Sequence, residues 1–198
     1  MTVRRSEQTR RAILRAARER FAAQGYERTT IRAVAADADI DPSMVMRYFG
    51  SKEGLFDAAL TVDLRLPDLA AVPPAELPAV VVRHFVTRWE GDPADDALLV
   101  LLRSAVTNEQ AAARMREVFA VQVAPALAAS LGVERAARAA GLVAAQLLGL
   151  AVSRYLLRLP PVVALTPDEL VAGLAPALAA TLGQAGGAET TGTETTGA

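Results

Sequence analysis

The sequence contains no cysteine, and it has one histidine, one tryptophan and one lysine in 198 residues. Without cysteine, the chain can form neither disulfides nor thiolate metal sites. A single histidine leaves few ligands for a metal centre and few candidates for acid–base catalysis. Since the sequence also lacks a Gly-rich phosphate loop, metal-ligand spacing and an obvious nucleophile–base pair, it predicts no metal, no cofactor and no enzymatic activity.

Signals for export or membrane insertion are missing as well. The first residues are rich in arginine and contain no apolar segment of the kind found in a secretory signal. The most apolar stretch, residues 139–153, lies between Arg138 and Arg154 and is shorter than the roughly 18 residues typical of a transmembrane helix. We therefore expect a soluble, cytoplasmic protein that does not enter the membrane.

The chain is rich in apolar, helix-forming residues. Hydrophobic residues make up 52% of the sequence, and alanine and leucine dominate among them. Both residues favour helices, so the composition predicts an all-α fold with an ample core. A chain of this length can hold one compact helical unit, or a small domain attached to a larger one.

Charged residues are distributed unevenly. Residues 1–52 contain eleven basic and six acidic side chains, whereas the remainder contains ten basic and sixteen acidic ones. The formal net charge of −1 thus conceals a basic head and an acidic body. Such an asymmetry is expected when only one part of a protein meets the phosphates of a nucleic acid.

Residues 29–55 have the pattern of a helix-turn-helix. Thr30 is a suitable N-cap for a first helix, which carries an apolar stripe at helical spacing: Ile31, Val34 and Ala35. That helix should end near Ala38, and Asp39 can adopt the left-handed conformation that a tight turn requires.

A second helix follows this turn at once. Asp41 is its expected N-cap and Pro42 its first residue, where a missing N–H costs nothing. Val45 and Phe49 should point inward, which leaves an outward face: Ser43, Met44, Met46, Arg47 and Tyr48. A second helix led by small and polar residues is what enters the major groove in helix-turn-helix proteins.

The segments on either side support this interpretation. Residues 10–24 carry a helical stripe of Leu14, Ala17 and Phe21 that can close a three-helix bundle, and Gly25 is the expected stop. Arg4 and Arg5 precede this helix on a predicted short mobile arm, which either touches DNA or is a frayed terminus.

Beyond the turn, Ser51 is the expected cap of the next helix. The first N–H groups of that helix, together with Lys52, could hold a phosphate. This linking helix should run from Glu53 to about Leu66 and break at Pro67.

Residues 6–56 resemble the N-terminal DNA-binding domain of the TetR family of transcriptional regulators. The resemblance covers about a quarter of the chain and rests on RRAILRAARERFAAQG at residues 10–25, on residues 26–30 and on MRYFGSKEGLF at residues 46–56. The commonest family pattern has glycine in the turn and serine at the cap, where this chain has Asp39 and Asp41. Met44 and Met46 replace the usual threonine and first aromatic residue.

The resemblance implies roles for individual residues. Thr30, Tyr48 and Lys52 match positions that grip phosphates, and Arg32 matches a position that reads a base in some members. The surface of the recognition helix would comprise Pro42, Ser43, Met44, Met46 and Arg47. Because methionine cannot donate hydrogen bonds, direct reading should fall on Arg32, Ser43 and Arg47, while the methionines touch thymine methyl groups.

Acidic residues beside the turn oppose DNA binding. Asp37, Asp39 and Asp41 lie next to the predicted recognition helix. Their charges should lower the affinity unless helix dipoles or arginines compensate them.

The rest of the chain is predicted to be helical. After a Pro-rich loop at residues 67–78, helices are expected over residues 77–90, 94–107, 109–131 with an interruption at Pro125, 133–157, and 166–182 with a kink near Pro176. We accordingly divide the chain into a DNA-binding domain (1–52), a helical effector-binding and dimerisation domain (53–182) and a low-complexity, disordered tail (183–198).

Two of these helices carry small residues at every fourth position. The first has Gly141, Ala145, Gly149 and Ser153, and the second has Gly173, Ala177 and Thr181. Ordinary packing within an alanine-rich subunit is one explanation, and a four-helix interface between two subunits is the other. The family resemblance favours the dimer, whose two-fold symmetry predicts a pseudo-palindromic operator on double-stranded DNA.

A ligand pocket is the natural use of the middle helices. Polar and aromatic residues in an apolar helical body are its candidates, although each can also be a satisfied or surface residue: His84, Trp89, Arg103, Met115, Phe119, Gln146, Arg154 and Tyr155. Walls of leucine, valine and alanine suit a small apolar or amphipathic effector. By family analogy, its binding would shift the linking helix, change the spacing of the recognition helices and release DNA.

Three functions therefore stay open on the sequence. The favoured one is a homodimeric repressor released by a small molecule. An activator or ligand-independent regulator with the same DNA-binding head is the second. A helical interaction module is the third, and it leaves the basic head unexplained.

Overall fold

The computed structural model describes residues 2–91 and 97–184, with side chains from residue 6 to residue 183 in those ranges. These residues form helices and contain no strand, which confirms the all-α prediction. The chain divides into two compact units. The first unit comprises Met1–Asp63 and Glu90–Val118, and the second comprises Leu64–Trp89 and Phe119–Ala198.

Eleven α-helices follow one another in the described residues: α1 (Thr2–Arg28), α2 (Ile31–Asp37), α3 (Pro42–Phe49), α4 (Lys52–Ala59), α5 (Leu77–Glu90), α6 (Ala97–Ala105), α7 (Glu109–Val118), α8 (Ala124–Leu131), α9 (Val133–Ala151), α10 (Pro160–Val163) and α11 (Pro167–Gln184). A 3-10 turn lies at Leu69–Ala71, and π-helical turns lie at Phe119–Val123 and Val152–Leu156.

The first unit is built around α1, which packs on α2, α4 and α6. The predicted stripe of Leu14, Ala17 and Phe21 is buried, as expected for the closing face of the bundle. The Phe21 ring meets the buried Phe56 ring edge to face, with 4.8 Å between the centroids. Val45 of α3 is fully buried. The apolar residues that recur at helical spacing in this unit therefore form the buried core that the sequence predicts.

Helix α1 begins earlier than predicted. It runs from Thr2, so the backbone of the predicted mobile arm at Arg4 and Arg5 is helical, while the side chains of these two arginines lie outside the described ones. Residues 2–9 contain no glycine or proline that would stop a helix. Gly25 interrupts α1 with φ 77° and ψ 175°, which confirms the predicted stop.

Helix α4 is shorter than predicted, because it ends at Ala59 rather than near Leu66. Residues 60–66 alternate strictly between apolar and polar side chains: Leu60, Thr61, Val62, Asp63, Leu64, Arg65 and Leu66. Leu60 and Val62 are buried, whereas Thr61 and Asp63 are exposed. This period of two suits an extended chain and would place apolar residues on opposite sides of a helix.

In the second unit, α9 packs on α8 and α11, and α8 also packs on the turn at Leu69–Ala71. The core consists of small and branched apolar side chains, including Leu77, Val82, Leu127 and Leu178. A capping box begins α11. Thr166 N donates to Glu169 Oε2 (2.7 Å), and Glu169 N donates to Thr166 Oγ1 (3.3 Å).

Helix α10 lies between the predicted helices 133–157 and 166–182, where the sequence predicts no helix. Both prolines occupy the first positions of a helix, where they are well tolerated. The Arg154 guanidinium fixes this segment by donating from Nη1 to the Val162 and Leu165 carbonyl oxygens, at 2.5 and 3.0 Å.

The other predicted boundaries in the body largely match. Pro125 lies at the start of α8 and interrupts the predicted 109–131 helix, as expected. Leu98, Leu101 and Leu102 of α6 are buried, and the predicted start of that helix at residue 94 lies outside the described residues. The predicted disordered tail also lies outside them from residue 185 onward.

The helical stretch Val133–Leu156 is longer than the apolar segment considered from the sequence. By length and composition alone, these 24 residues could cross a membrane. The core helix of a soluble protein passes the same test, so this finding is weak evidence for insertion.

Candidate nucleic-acid interface

The turn between α2 and α3 is built as the sequence predicted. Thr30 Oγ1 caps α2 by accepting a hydrogen bond from Ala33 N (3.2 Å), and Asp41 Oδ1 caps α3 by accepting one from Ser43 N (2.8 Å). Between the two helices, Asp39 adopts a left-handed conformation with φ 53°. Local capping and turn chemistry therefore fix the orientation of α3 relative to α2.

The outward face of α3 is narrower than predicted. Ser43 and Arg47 are exposed, and Met46 is 45% exposed. Met44 and Tyr48 are half-buried, as is Pro42 at the start of the helix. Two further predicted contacts, Thr30 and Arg32 on α2, are exposed. The exposed side chains that could contact DNA bases are therefore mainly Arg32, Ser43, Met46 and Arg47.

Two of the three aspartates beside the turn have compensating partners. Asp37 accepts two hydrogen bonds from the Arg20 guanidinium of α1, one of them from Nη2 at 2.7 Å. These bonds hold the pKa of Asp37 below its usual value. The pKa of Asp41 is lowered by hydrogen bonds from the Ser43 side chain and backbone. Arginine pairing and helix capping therefore offset part of the negative charge that should oppose DNA.

Lys52 is held at the first turn of α4. Its ammonium nitrogen lies 4.2 Å from the centroid of the Tyr26 ring and donates to the Glu27 carbonyl oxygen at 3.3 Å. The Tyr26 hydroxyl donates in turn to Glu53 Oε1 (2.8 Å), and burial followed by this bond raises the pKa of Tyr26 to about 12. Tyr26 is not among the site residues predicted from the sequence. Its position directly after the kink at Gly25 is the one local signal that points to it.

The junction between α3 and α4 is unusually close. Ser51 Oγ caps α4 by accepting a hydrogen bond from Gly54 N (3.0 Å), as predicted. A Cβ atom on Gly54 would lie 2.2 Å from the Phe49 carbonyl oxygen. Only glycine fits here without a backbone shift, so this residue sets the spacing between the recognition helix and the Lys52 turn.

Tyr48 lies where α3 meets the beginning of α1. Its hydroxyl oxygen is 3.0 Å from Ser6 Oγ, and the Arg47 guanidinium lies 5.6 Å from its ring centroid. The hydrogen bond with Ser6 is the largest cause that lowers the pKa of Tyr48. Ser6 was not singled out from the sequence, because 42 residues separate it from Tyr48.

The candidate pocket residues are distributed over both units. Arg103 and Met115 belong to the first unit, where Arg103 Nη1 reaches the Ala22 carbonyl oxygen at 3.5 Å. In the second unit, Trp89 and Tyr155 stack with 4.9 Å between centroids and 3° between planes. Phe119 also belongs to that unit, where it packs against the apolar core.

The polar candidates in the second unit have partners of their own. His84 Nε2 lies 3.0 Å from the Leu64 carbonyl oxygen, and Gln146 Nε2 donates to Thr181 Oγ1 (2.7 Å). Arg154 binds the carbonyls at and after α10. Trp89 stacks on Tyr155, and the Arg154 guanidinium lies 5.9 Å from the centroid of the Tyr155 ring, so both contacts join predicted pocket residues. The pocket itself stays a prediction.

The predicted dimerisation residues lie on open surface of the second unit. Gly141, Ala145 and Gly149 of α9 are exposed, as are Gly173 and Ala177 of α11, while Ser153 and Thr181 are half-buried. A Cβ atom added at any of the three glycines would meet no atom within 4 Å. Packing within the unit therefore does not require glycine at these positions.

Two family models match the chain. Residues 13–59 match the model described as "Bacterial regulatory proteins, tetR family", and residues 75–182 match the one described as "Tetracyclin repressor-like, C-terminal domain". The first match contains α2, α3 and α4, and the second contains α5 to α10 and most of α11. The two matches therefore include both the candidate DNA interface and the small-residue helices.

Individual relatives agree with these matches. The HTH-type transcriptional regulator TcmR of Streptomyces glaucescens is 35% identical over 80 residues, which span 40% of this chain and 31% of that protein. The crystal structure of a TetR-family regulator from Streptomyces coelicolor A3 is 30% identical, with a TM-score of 0.60 over 89% of this chain and 96% of that one. GusR of Salmonella enterica has the same fold at 22% identity, with a TM-score of 0.66 over 88% and 95% of the two chains.

These matches confirm the resemblance inferred from residues 6–56 and extend it to the C-terminal helices. They also confirm that the protein is not an enzyme. The chain belongs to the TetR family, and it is a DNA-binding transcriptional regulator with an N-terminal helix-turn-helix and a C-terminal helical domain.

Proposed function

We propose that the protein is a cytoplasmic homodimeric repressor that binds a pseudo-palindromic operator and releases it when a small apolar or amphipathic molecule binds the C-terminal domain. The observation that carries the proposal is the exposed surface formed by α2 and α3. It presents two arginines and a serine as hydrogen-bond donors, and Lys52 lies at the next helix start.

Within this surface, we expect different side chains to contact the DNA bases and the DNA phosphates. Arg32, Ser43 and Arg47 are exposed and can donate to base edges, and an arginine bound bidentately to guanine contributes about 1–3 kcal/mol of discrimination. Met46 can contact a thymine methyl group. Thr30, Tyr48 and Lys52 would bind phosphates. Such contacts fix the orientation of α3 but carry no sequence information.

The exposed faces of α9 and α11 support a homodimer. On α9, the exposed glycines and Ala145 lie beside two large apolar side chains, Leu142 (59% exposed) and Leu148 (36% exposed). Covering these side chains with a second copy would remove apolar surface from water.

Effector binding is supported by the composition of the second unit. Its core is formed by leucine, valine and alanine, and the stacked Trp89–Tyr155 pair is half-buried beside Phe85. Such a lining suits an apolar or amphipathic ligand better than a charged one. Release of DNA would follow if the effector favours a conformation in which α4 moves and the two α3 helices no longer match the half-site spacing.

DNA recognition is tested by titrating the protein against duplexes that flank its own gene and against duplexes selected from a random pool, at two salt concentrations. We expect Arg47→Ala to lose about 5- to 150-fold in affinity for the selected site. Arg83→Ala is the matched control, because Arg83 is an exposed arginine paired with Asp168 in the second unit. Equal, sequence-independent binding by all three proteins would contradict the proposal.

The remaining parts of the proposal have separate tests. Sedimentation and footprinting should show a dimer that protects two half-sites about 10 base pairs, or a multiple of that spacing, apart. A reporter gene joined to the selected site should be repressed, whereas increased expression would identify an activator. A panel of apolar compounds, followed by the fluorescence of the single tryptophan, should identify ligands that also release the operator.

A further inference from the structure

The hydrogen bond between Ser6 and Tyr48 joins the beginning of α1 to the end of α3. Ser6 Oγ lies 3.0 Å from the Tyr48 hydroxyl oxygen, and the two residues are 42 positions apart in the chain. Ser6 is exposed and Tyr48 is half-buried, so the bond lies at the rim of the candidate DNA interface. Thr9, one helical turn after Ser6, also interacts with the Tyr48 hydroxyl.

The chemistry of this cluster determines where the Tyr48 proton can point. A guanidinium has donors and no acceptor, so Arg47 can interact with the phenol oxygen only by donating to it. A serine hydroxyl can rotate to donate as well. When Ser6 and Arg47 both donate to the oxygen of Tyr48, its two lone pairs are filled, and the phenol proton is left to donate either to the Thr9 hydroxyl or to a group outside the protein.

We propose that Ser6 is a positioning residue for DNA binding, which orients the Tyr48 hydroxyl so that its proton is donated to a DNA phosphate. This inference rests on the proposed phosphate contact of Tyr48. Ser6 need not touch the DNA itself. Its hydroxyl holds the tip of the phenol ring against α1, and it polarises the O–H bond by donating to the phenol oxygen.

A double-mutant cycle tests the coupling between the two residues. Ser6→Ala and Tyr48→Phe should each weaken binding to the selected duplex about fivefold, the size expected for one hydrogen bond. The double variant should bind no more weakly than Tyr48→Phe, because Ser6 acts only through the phenol hydroxyl. Ser6→Thr keeps a hydroxyl and should restore most of the affinity.

Gln8→Ala is the matched control, since Gln8 is exposed on the same helix two residues further along. It should leave the affinity unchanged. Helical circular dichroism and the thermal midpoint of each variant separate a loss of binding from a loss of folding, and Ser6→Thr keeps the test valid if Ser6→Ala unfolds.

The salt dependence of binding separates this contact from those of charged residues. A neutral hydroxyl that binds a phosphate does not itself displace a counterion. Ser6→Ala and Tyr48→Phe should therefore lower the affinity at every salt concentration without changing the slope of log K against log salt. Lys52→Gln should instead reduce the slope of log K against log salt by about 1.

Absorbance titration of the tyrosines reports the contact in the absence of DNA. The groups that face the Tyr48 hydroxyl are Arg47 on its own helix and the hydroxyls of Ser6 and Thr9 on α1. Removing the Ser6 hydroxyl should raise the pKa of Tyr48, identified as the transition missing from Tyr48→Phe. Gln8→Ala should leave that transition in place.

Several outcomes would overturn the inference. Losses from Ser6→Ala and Tyr48→Phe that simply add would show that the two hydroxyls act independently. Unchanged affinity in either single variant would remove the positioning role or the phosphate contact itself. If the wild-type protein bound no duplex, the proposed function would fail first, whereas normal binding that survives both substitutions would overturn only this inference.

Discussion

Glycines of the two units lie in contrasting surroundings. At Gly54 in the first unit, an added Cβ would lie 2.2 Å from a backbone oxygen of α3, whereas Cβ atoms on Gly141, Gly149 and Gly173 in the second unit would meet nothing within 4 Å. Close packing within the first unit therefore explains why residue 54 is a glycine. Packing within the second unit does not explain the glycines of α9 and α11. Under the proposed function, the close approach of a second copy of the chain to these two helices explains them.

The largest expected effect comes from filling the open ridge with a bulky charge. Gly149→Arg should leave the subunit folded, because its surroundings are open, but it should prevent a second copy from approaching. Loss of two-site binding should then lower operator affinity by about 100- to 10,000-fold. Sedimentation and DNA titration measure the two effects.

Ala129→Arg provides the comparison for this variant, since Ala129 is exposed on α8 in the same unit. It adds the same charge and volume away from the ridge and should leave both dimer and affinity intact. A dimeric Gly149→Arg protein with normal affinity would show that the open glycines have another cause.

The core of the first unit should be sensitive to truncation. Phe21 is 1% exposed and packs on Phe56 and Tyr26, so Phe21→Ala should lower the free energy of unfolding by about 3–5 kcal/mol. Val106, which is 78% exposed in the same unit, serves as the control. Val106→Ala should change stability by less than about 0.5 kcal/mol in denaturant titrations.

Substituting glycine by alanine should lower the stability of the first unit and raise that of the second. Gly54→Ala should destabilise the protein by about 1–3 kcal/mol, because its Cβ would collide with the Phe49 backbone. Gly141→Ala, in an open helical position, should stabilise the subunit by about 0.5–1 kcal/mol. Thermal unfolding under conditions that keep the protein monomeric checks both signs, and equal signs would contradict the packing explanation.

The smallest effect expected is a difference in acid sensitivity. The pKa values of Asp37, Asp41 and Glu53 in the first unit lie below their ordinary values of 3.8 and 4.5, owing to hydrogen bonds, and Glu169 behaves likewise in the second. Their contributions to stability are fully present above the ordinary values and are lost as the pH falls through the lowered ones. Amide exchange at pH 6 and pH 3 should therefore show the larger loss of protection in α2 to α4.

Local signals determined most of what the sequence could predict. Helix caps and tight turns depend on residues within about four positions of one another, so the residue types alone predict the local backbone conformation. This holds for the caps at Thr30, Asp41 and Ser51 and for the turn at Asp39. The helix predicted over residues 60–66 is wrong, because the period-two alternation of these residues suits an extended chain rather than a helix. Helix α10 was missed, since prolines start helices as well as stop them.

Distant contacts account for what the sequence did not disclose. The bonds from Ser6 to Tyr48 and from Tyr26 to Glu53 link residues that are 42 and 27 positions apart, and no short pattern encodes them. Most candidate pocket residues are polar or aromatic side chains in an apolar helical body. In the structure, several of them bind nearby carbonyls instead, because a buried polar group takes whichever partner the fold brings within reach.

Lys52 gives the interface a chemical property that follows from composition and position together. It is the one lysine in the sequence, and every other basic side chain apart from the histidine is an arginine, whose guanidinium resists acylation at neutral pH. An amine-selective acylating reagent therefore has a single side-chain target, and that target lies against Tyr26 at the first turn of α4. Protection of this amine by bound DNA would serve as a one-residue footprint of operator occupancy, and acetylation there would neutralise the charge without altering the rest of the basic surface.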